Sequence, residues 1–246
     1  MNEFYIGYAS NMPVGLRGFV RRVVVGLGVL AMTVAVVLLS GQMPFAKSTF
    51  EFGKARSFEG ILETAPYPTL LVNRPGDVGA NSEYSRYLLV APGKHGADVL
   101  FEGMDSKRVR IKGELIYREG QTIIEVEPAS IEAFEQGGGG PTQFHSLGEV
   151  SVVGEIVDSK CYLGVMNPGM GKVHRDCASR CISGGIPPIF VTDTGDQFWL
   201  VDPDGHSFER DALREFIAEP LSLRGELFER GDSKFLKIDP AQLHRR

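Results

Sequence analysis

A chain of 246 residues is long enough for a membrane anchor and one or two small domains. Its formal net charge of −5 offers no electrostatic footprint for nucleic acid, so no nucleic-acid partner is expected. Three cysteines are too few for a disulfide-dense scaffold, whereas 30 glycines and 14 prolines suit a fold with many turns.

The first element is a run without charge from Val23 to Leu39. With its flanks, 21–41, it approaches the roughly 20 residues that cross a bilayer core. It has no polar face, unlike the helix of a soluble domain. A cleaved signal peptide is the rival reading. However, the nearest small-x-small site, Pro44-Phe45-Ala46, would put proline at −3, and the run exceeds the usual length of such a region. A signal anchor is therefore expected. Arg17, Arg21 and Arg22 precede the span, and Lys47 is the nearest positive charge after it. The positive-inside rule then makes 1–20 a cytoplasmic tail and puts 42–246 outside, in the periplasm if the source is Gram-negative. A single-pass protein of the inner membrane follows, so the membrane itself is an expected partner. Phe4, Tyr5 and Tyr8 could rest at the interface.

The rest of the chain repeats itself. Val109-Arg110-Ile111-Lys112-Gly113-Glu114-Leu115 matches Leu221-Ser222-Leu223-Arg224-Gly225-Glu226-Leu227. Without a gap, Ile124, Val126 and Pro128-Ala129 then fall on Leu236, Ile238 and Pro240-Ala241. Each copy alternates apolar and polar residues, turns, and alternates again, which is a hairpin pattern. Upstream, Tyr87-Leu88-Leu89 falls on Trp199-Leu200-Val201, and Gly93 on Gly205. Trp199 is thus expected to pack in its domain as Tyr87 does. The run Gly137-Gly138-Gly139-Gly140-Pro141 reads as a linker, assigned to 137–145. β domain one then spans 48–136 and β domain two 146–246. A short helix is expected in each before the last hairpin. In domain two it is Ser207–Ala218, with Ser207 as N-cap and Phe208, Ala212, Phe216 and Ile217 on one face. The expected fold is mainly β: a transmembrane helix followed by two duplicated, OB-like small barrels.

All three cysteines lie in domain two, between the end of an expected strand, Val152–Val157, and the breakers Gly184-Gly185 and Pro187-Pro188. A short helix is expected from about His174. On such a helix His174, Cys177 and Cys181 lie within roughly 60° of one another, and Cys161 could close over that face. Three sulfurs and an imidazole are ligand types for one zinc or copper ion. Met166 and Met170 could add thioethers. The spacing is not that of a standard zinc finger. Outside the cytoplasm a disulfide from Cys161 to one of the other two is an alternative, leaving one free thiol. Thiol redox chemistry is a third. The stretch from Gly154 to Trp199 is longer than that from Gly60 to Tyr87, and the cluster occupies that excess, an addition to one copy of a duplicated scaffold.

The run Asp158-x-x-Cys161-Tyr162, then His174-x-x-Cys177-Ala178-x-x-Cys181 and Gly184-Gly185-Ile186-Pro187-Pro188, resembles a motif of small exported bacterial proteins of uncharacterised function. The likeness covers most of domain two and implies an envelope protein with Cys161, His174, Cys177 and Cys181 as its distinctive positions. It implies no activity.

No haem-attachment, phosphate-loop or nucleophile-elbow pattern occurs in a suitable context. His95, His145, His206 and His244 are scattered and read as loop histidines. The absence of a nucleophile or acid–base set argues against an enzyme. The expected function is therefore an accessory or assembly subunit of an envelope or membrane redox complex, with an integral membrane or periplasmic protein as partner. The alternative is a metal-binding or thiol-redox protein built on the four-residue cluster.

Overall fold

A computed structural model describes residues 11–40, 48–73, 84–134 and 144–246. The Gly137–Pro141 run, the site at Pro44–Ala46 and the aromatics Phe4, Tyr5 and Tyr8 lie outside the described residues. The chain divides into two units, Met1–Phe45 and Ala46–Arg246.

The first unit contains one helix, α1 (Val14–Ser40), of 27 residues with none buried. At 1.5 Å per residue it is about 40 Å long, more than the hydrocarbon core needs. It is long and apolar enough to cross a membrane. It begins earlier than the expected 21–41 because arginine is a good helix former, so Arg17, Arg21 and Arg22 extend the helix rather than end it. The hydroxyls of Thr33 and Ser40 donate to the carbonyls of Val29 and Val36, at 2.9 and 2.7 Å. That keeps two polar groups satisfied within the helix, as a lipid environment requires.

The second unit holds two closed five-stranded barrels. Barrel one is built from β1 (Ser48–Phe50), β2 (Arg56–Glu63), β3 (Thr69–Asn73), β4 (Tyr84–Val90), β5 (Arg108–Arg118), β6 (Gln121–Val126) and β7 (Glu132–Phe134). It closes in the order β5-β2-β3-β4-β6, with β6 back on β5, while β1 and β7 are additional pairs on β5. Barrel two is built from β8 (His145–Asp158), α2 (Arg175–Ser183), β9 (Pro188–Thr192), β10 (Gln197–Val201), β11 (Leu221–Arg230), β12 (Ser233–Lys237) and β13 (His244–Arg245). It closes as β11-β8-β9-β10-β12, with β12 on β11. In both barrels the third and fifth strands pair in parallel and the other barrel pairs are antiparallel.

The pairing registers support a duplication. Glu114 opposes Glu125 and Leu115 opposes Ile124; at the matching positions Glu226 opposes Lys237 and Leu227 opposes Leu236. Gly60 opposes Val109 as Gly154 opposes Leu221. These two glycines are needed for close approach: a Cβ at Gly60 would lie 2.2 Å from the Leu71 carbonyl oxygen, and one at Gly154 would lie 2.0 Å from that of Val191. One sequence equivalence is corrected. Leu88 opposes Ile123, whereas Trp199 opposes Phe235, so Trp199 takes the place of Leu88 rather than Tyr87. The slip reverses the pleat: Leu88 and Trp199 both face the core shared by the barrels, and Tyr87 packs toward the interior of barrel one.

Two further expectations are corrected. Ser207–Ala218 is not a helix but a chain of tight turns, with Ala212, Arg214 and Phe216 N–H each bonding three residues back. Its end is captured by the barrel instead: Ile217 bridges Ile156, Ala218 N–H donates to the Ile156 carbonyl, and Ala218 has a positive φ that stops a helix. Of the residues expected on one face, Ile217 is buried and Phe208 and Phe216 pack against the core, but Ala212 is exposed and Leu213 is buried instead. The matching segment of barrel one is a single 3₁₀ turn, Val99–Phe101, whose Phe101 plugs the interior. The first strand of barrel two, expected at Val152–Val157, runs from His145, so the assigned linker ends before that residue.

Three apolar cores result. One fills each barrel, and a third is shared: Tyr67, Leu88, Val90, Ile116 and Ile123 of barrel one meet Trp199, Ile189, Phe235 and the cysteine segment of barrel two. Each large side chain buried there contributes about 1.5–3 kcal/mol.

Candidate metal centre

The cysteine segment joins the end of β8 to the start of β9. Asp158 ends the strand, and its Oδ1 accepts the Cys161 N–H at 2.9 Å. That bond turns the chain inward, so Cys161, Tyr162 and Leu163 form one wide, buried turn. A loop follows, pinned where Gly171 N–H donates to Glu155 Oε2 at 2.8 Å. Burial pushes the Glu155 carboxyl above its ordinary range. A 3₁₀ turn, Lys172–His174, leads into α2. The helix thus starts one residue after His174, and Gly184 caps it through its N–H to the Arg180 and Cys181 carbonyls. Cys177 and Cys181 lie one turn apart on α2 and face Cys161.

All three cysteines are free thiols. Their sulfurs lie within 4.8 Å of one another, and Cys161 Sγ is 4.0 Å from Cys177 Sγ. Three thiolates at about 2.3 Å from one ion stand about 3.8–4.0 Å apart, so this spacing suits a shared ion. The Cys161 thiol is pushed up by its hydrogen bond to Cys181, by burial and by the Asp158 carboxylate. The same Cys161 contact holds Cys181 below its ordinary value, with Lys94 helping. Cys181 is therefore the readier thiolate. The donor set fits a soft ion. Of the two methionines, Met170 packs against this core, while Met166 is exposed.

His174 is placed differently from the other three expected ligands. It is 3 % exposed, and its Nε2 donates to Asp158 Oδ2 at 2.9 Å. A ligand atom of His174 lies within 4.8 Å of both Asp158 and Cys161, but the imidazole does not join the three-sulfur group.

Barrel one supplies what lies beside the sulfurs. Lys94 Nζ is 2.7 Å from Cys177 Sγ and 3.5 Å from Cys181 Sγ. The Cys177 sulfur is the main cause that raises the Lys94 pKa. The Lys94 loop is held in two ways. Gly96 N–H donates to the Gly184 carbonyl at 3.0 Å, and Gly184 lies so close that a Cβ would sit 1.8 Å from the Lys94 carbonyl oxygen. In the opposite direction the buried Lys160 of barrel two donates to the carbonyls of Ala91 and Gly93, at 2.9 and 2.7 Å, and pairs with Glu125. Each barrel thus sends one lysine into the other. Arg118 adds a clamp, donating to the Tyr162 carbonyl at 3.1 Å while its guanidinium lies 4.1 Å from the centre of the Tyr162 ring.

Two residues of this centre were not marked as participants by the sequence. Asp158 had a local signal, a carboxylate three residues before Cys161 that could accept its N–H. Lys94 had none, since nothing along the chain relates it to α2. Comparisons with protein-family models, curated proteins and solved structures found no match.

Proposed function

We propose that this is a single-pass, membrane-anchored protein of the bacterial envelope that holds a soft d¹⁰ ion, copper(I) or zinc(II), on Cys161, Cys177 and Cys181, and serves as an accessory or assembly subunit for a membrane redox complex. The observation that carries the metal reading is the convergence of three free sulfurs within 4.8 Å in a seam between two barrels. Lys94 beside Cys181 favours the thiolate form that a metal requires. Three-coordinate binding by sulfur alone would suit copper(I), and zinc(II) would take a fourth ligand.

The membrane and envelope readings rest on α1 and on the arginines that precede its apolar stretch. That charge placement supports a reading with the barrels outside the cytoplasm, as does the resemblance to exported bacterial proteins. A tether raises the local concentration of the centre near an integral membrane or periplasmic partner, which suits delivery or assembly.

The test uses the full chain in detergent, reduced and stripped of metal, then offered copper(I) or zinc(II) and desalted. At least one equivalent of one of these ions should be retained, and Cys177→Ser should lower its affinity at least tenfold. Equal retention by the wild type and by a variant with all three cysteines changed to serine would refute the metal reading. A cysteine-accessibility assay on cells settles the side of the membrane.

A further inference from the structure

The five donor groups of this segment do not converge on one point: Cys161, Cys177 and Cys181 form one group, Asp158, Cys161 and His174 form a second, and Cys161 belongs to both. We infer that Asp158, Cys161 and His174 form a second metal site, which shares the Cys161 sulfur with the three-sulfur site and makes a two-ion zinc centre. The inference rests on the three-sulfur reading, because it needs Cys161 as a bridging thiolate.

The donors are of the type zinc takes: a carboxylate oxygen, an imidazole nitrogen and a thiolate. They are also held in place without the ion. Asp158 is 0 % exposed, and its Oδ1 is occupied by the Cys161 N–H, which leaves Oδ2 as a single-oxygen ligand. Oδ2 faces His174 Nε2 at 2.9 Å, with one proton between them. Two ligand atoms each about 2.0–2.2 Å from one zinc stand about 3 Å apart at a right angle, and somewhat more in a tetrahedron, so a small movement admits the ion. Binding displaces that proton: Nε2 becomes the ligand, the imidazole takes its Nδ1–H tautomer, and the Cys161 thiol loses its proton to solvent. The position of Cys161 then has a geometric reason: it is the one sulfur within reach of both donor groups.

The same geometry accounts for the mixed segment. α2 alone supplies Cys177 and Cys181, and the strand end alone supplies Asp158; Cys161 and His174 flank the loop that joins them. A purely structural Asp158–His174 bond would hold the strand to the helix start and bind nothing.

The experiment titrates the reduced, metal-free full chain in detergent with zinc(II), and in parallel with copper(I), and counts metal after desalting. Zinc K-edge absorption on the wild type and on His174→Ala reports the ligand shell. Two zinc ions per chain with imidazole in the averaged shell and zinc–zinc scattering are expected, falling to one zinc held by three sulfurs and a solvent oxygen, without imidazole, in His174→Ala. The absorption data on the wild type decide the matter if that variant does not fold. One zinc held by three sulfurs and a solvent oxygen, without imidazole, in both proteins overturns the second site and leaves the first. One zinc with imidazole in its shell, lost from His174→Ala, also overturns it, since a single ion would then use both groups. Copper(I) bound with no zinc overturns the second site alone. Neither ion bound overturns both readings.

Discussion

The two barrels share strand order, pairing register and even the glycine against which the next strand's carbonyl sits, yet only one carries cysteines. In barrel one the first strand passes to the second through five residues, Thr64–Pro68, and Tyr67 in that connection donates its hydroxyl to the Leu200 carbonyl at 2.6 Å. In barrel two the same passage is opened into the turn, loop and helix that hold the cysteines. The scaffold tolerates this because a barrel keeps its sheet closed while a connection at its rim grows. The comparison also shows that the plain barrel is not a spacer. It lends Lys94 to the sulfurs and part of the apolar surface that buries them.

The sharpest way to break the equivalence is at the shared core. Trp199→Ala should cost about 3–5 kcal/mol, and Leu88→Ala, at the matching position, about 2–5 kcal/mol. Denaturant unfolding of the two variants should show one cooperative loss of both barrels, since both residues bury the same cluster. Separate transitions would mean that the barrels fold apart.

The reciprocal lysines should differ. Lys160→Met leaves the Glu125 carboxylate and two carbonyls facing an apolar stem, and should destabilise by about 3 kcal/mol with an unaltered ligand set. Lys94→Met removes a partly exposed cation and should cost about 1 kcal/mol or less in stability. Its larger effect should be on the affinity of the sulfurs for metal, read by competition with a chelator.

The smallest expected effect distinguishes the barrels by pH. Asp105, in barrel one, is held below its ordinary value mainly by the Thr64 N–H, with help from the Thr64 hydroxyl and Ser106. A carboxyl lowered on folding contributes stability that is fully present above its unfolded pKa of about 3.9 and is lost as pH falls through the lower folded value. Asp105→Ala should therefore lose about 1 kcal/mol at pH 7, with the difference from wild type shrinking below about pH 4. Urea midpoints across that range check the sign.

Much of this molecule was legible in the chain. Apolar residues alternating with polar ones, read against a similar hairpin downstream, implied β-rich copies of one unit, because the two-residue period of a strand is a local property. The apolar run before them implied α1, because crossing lipid demands only length and the absence of charge. The cysteine segment stood out because it interrupts a repeat. What the chain order left open were choices that depend on distant atoms. Ser207–Ala218 has a helical pattern, but Ile217 is taken by the edge of β8 and the segment turns instead. Trp199 slips one place from Tyr87, since the partner strand and the shared core decide which face is buried. His174 falls within reach of a helical cysteine face in sequence, yet the helix begins after it and Asp158 receives its ring. Lys94 reaches the sulfurs only because Gly96 and Gly184 let two loops from different barrels touch. By itself the sequence determined the apolar N-terminal helix, the repeated β unit and the thiols, each encoded by neighbours in the chain. The tertiary structure alone decided which groups share a point in space, because burial, register and hydrogen-bond partners are settled between segments that the chain keeps far apart.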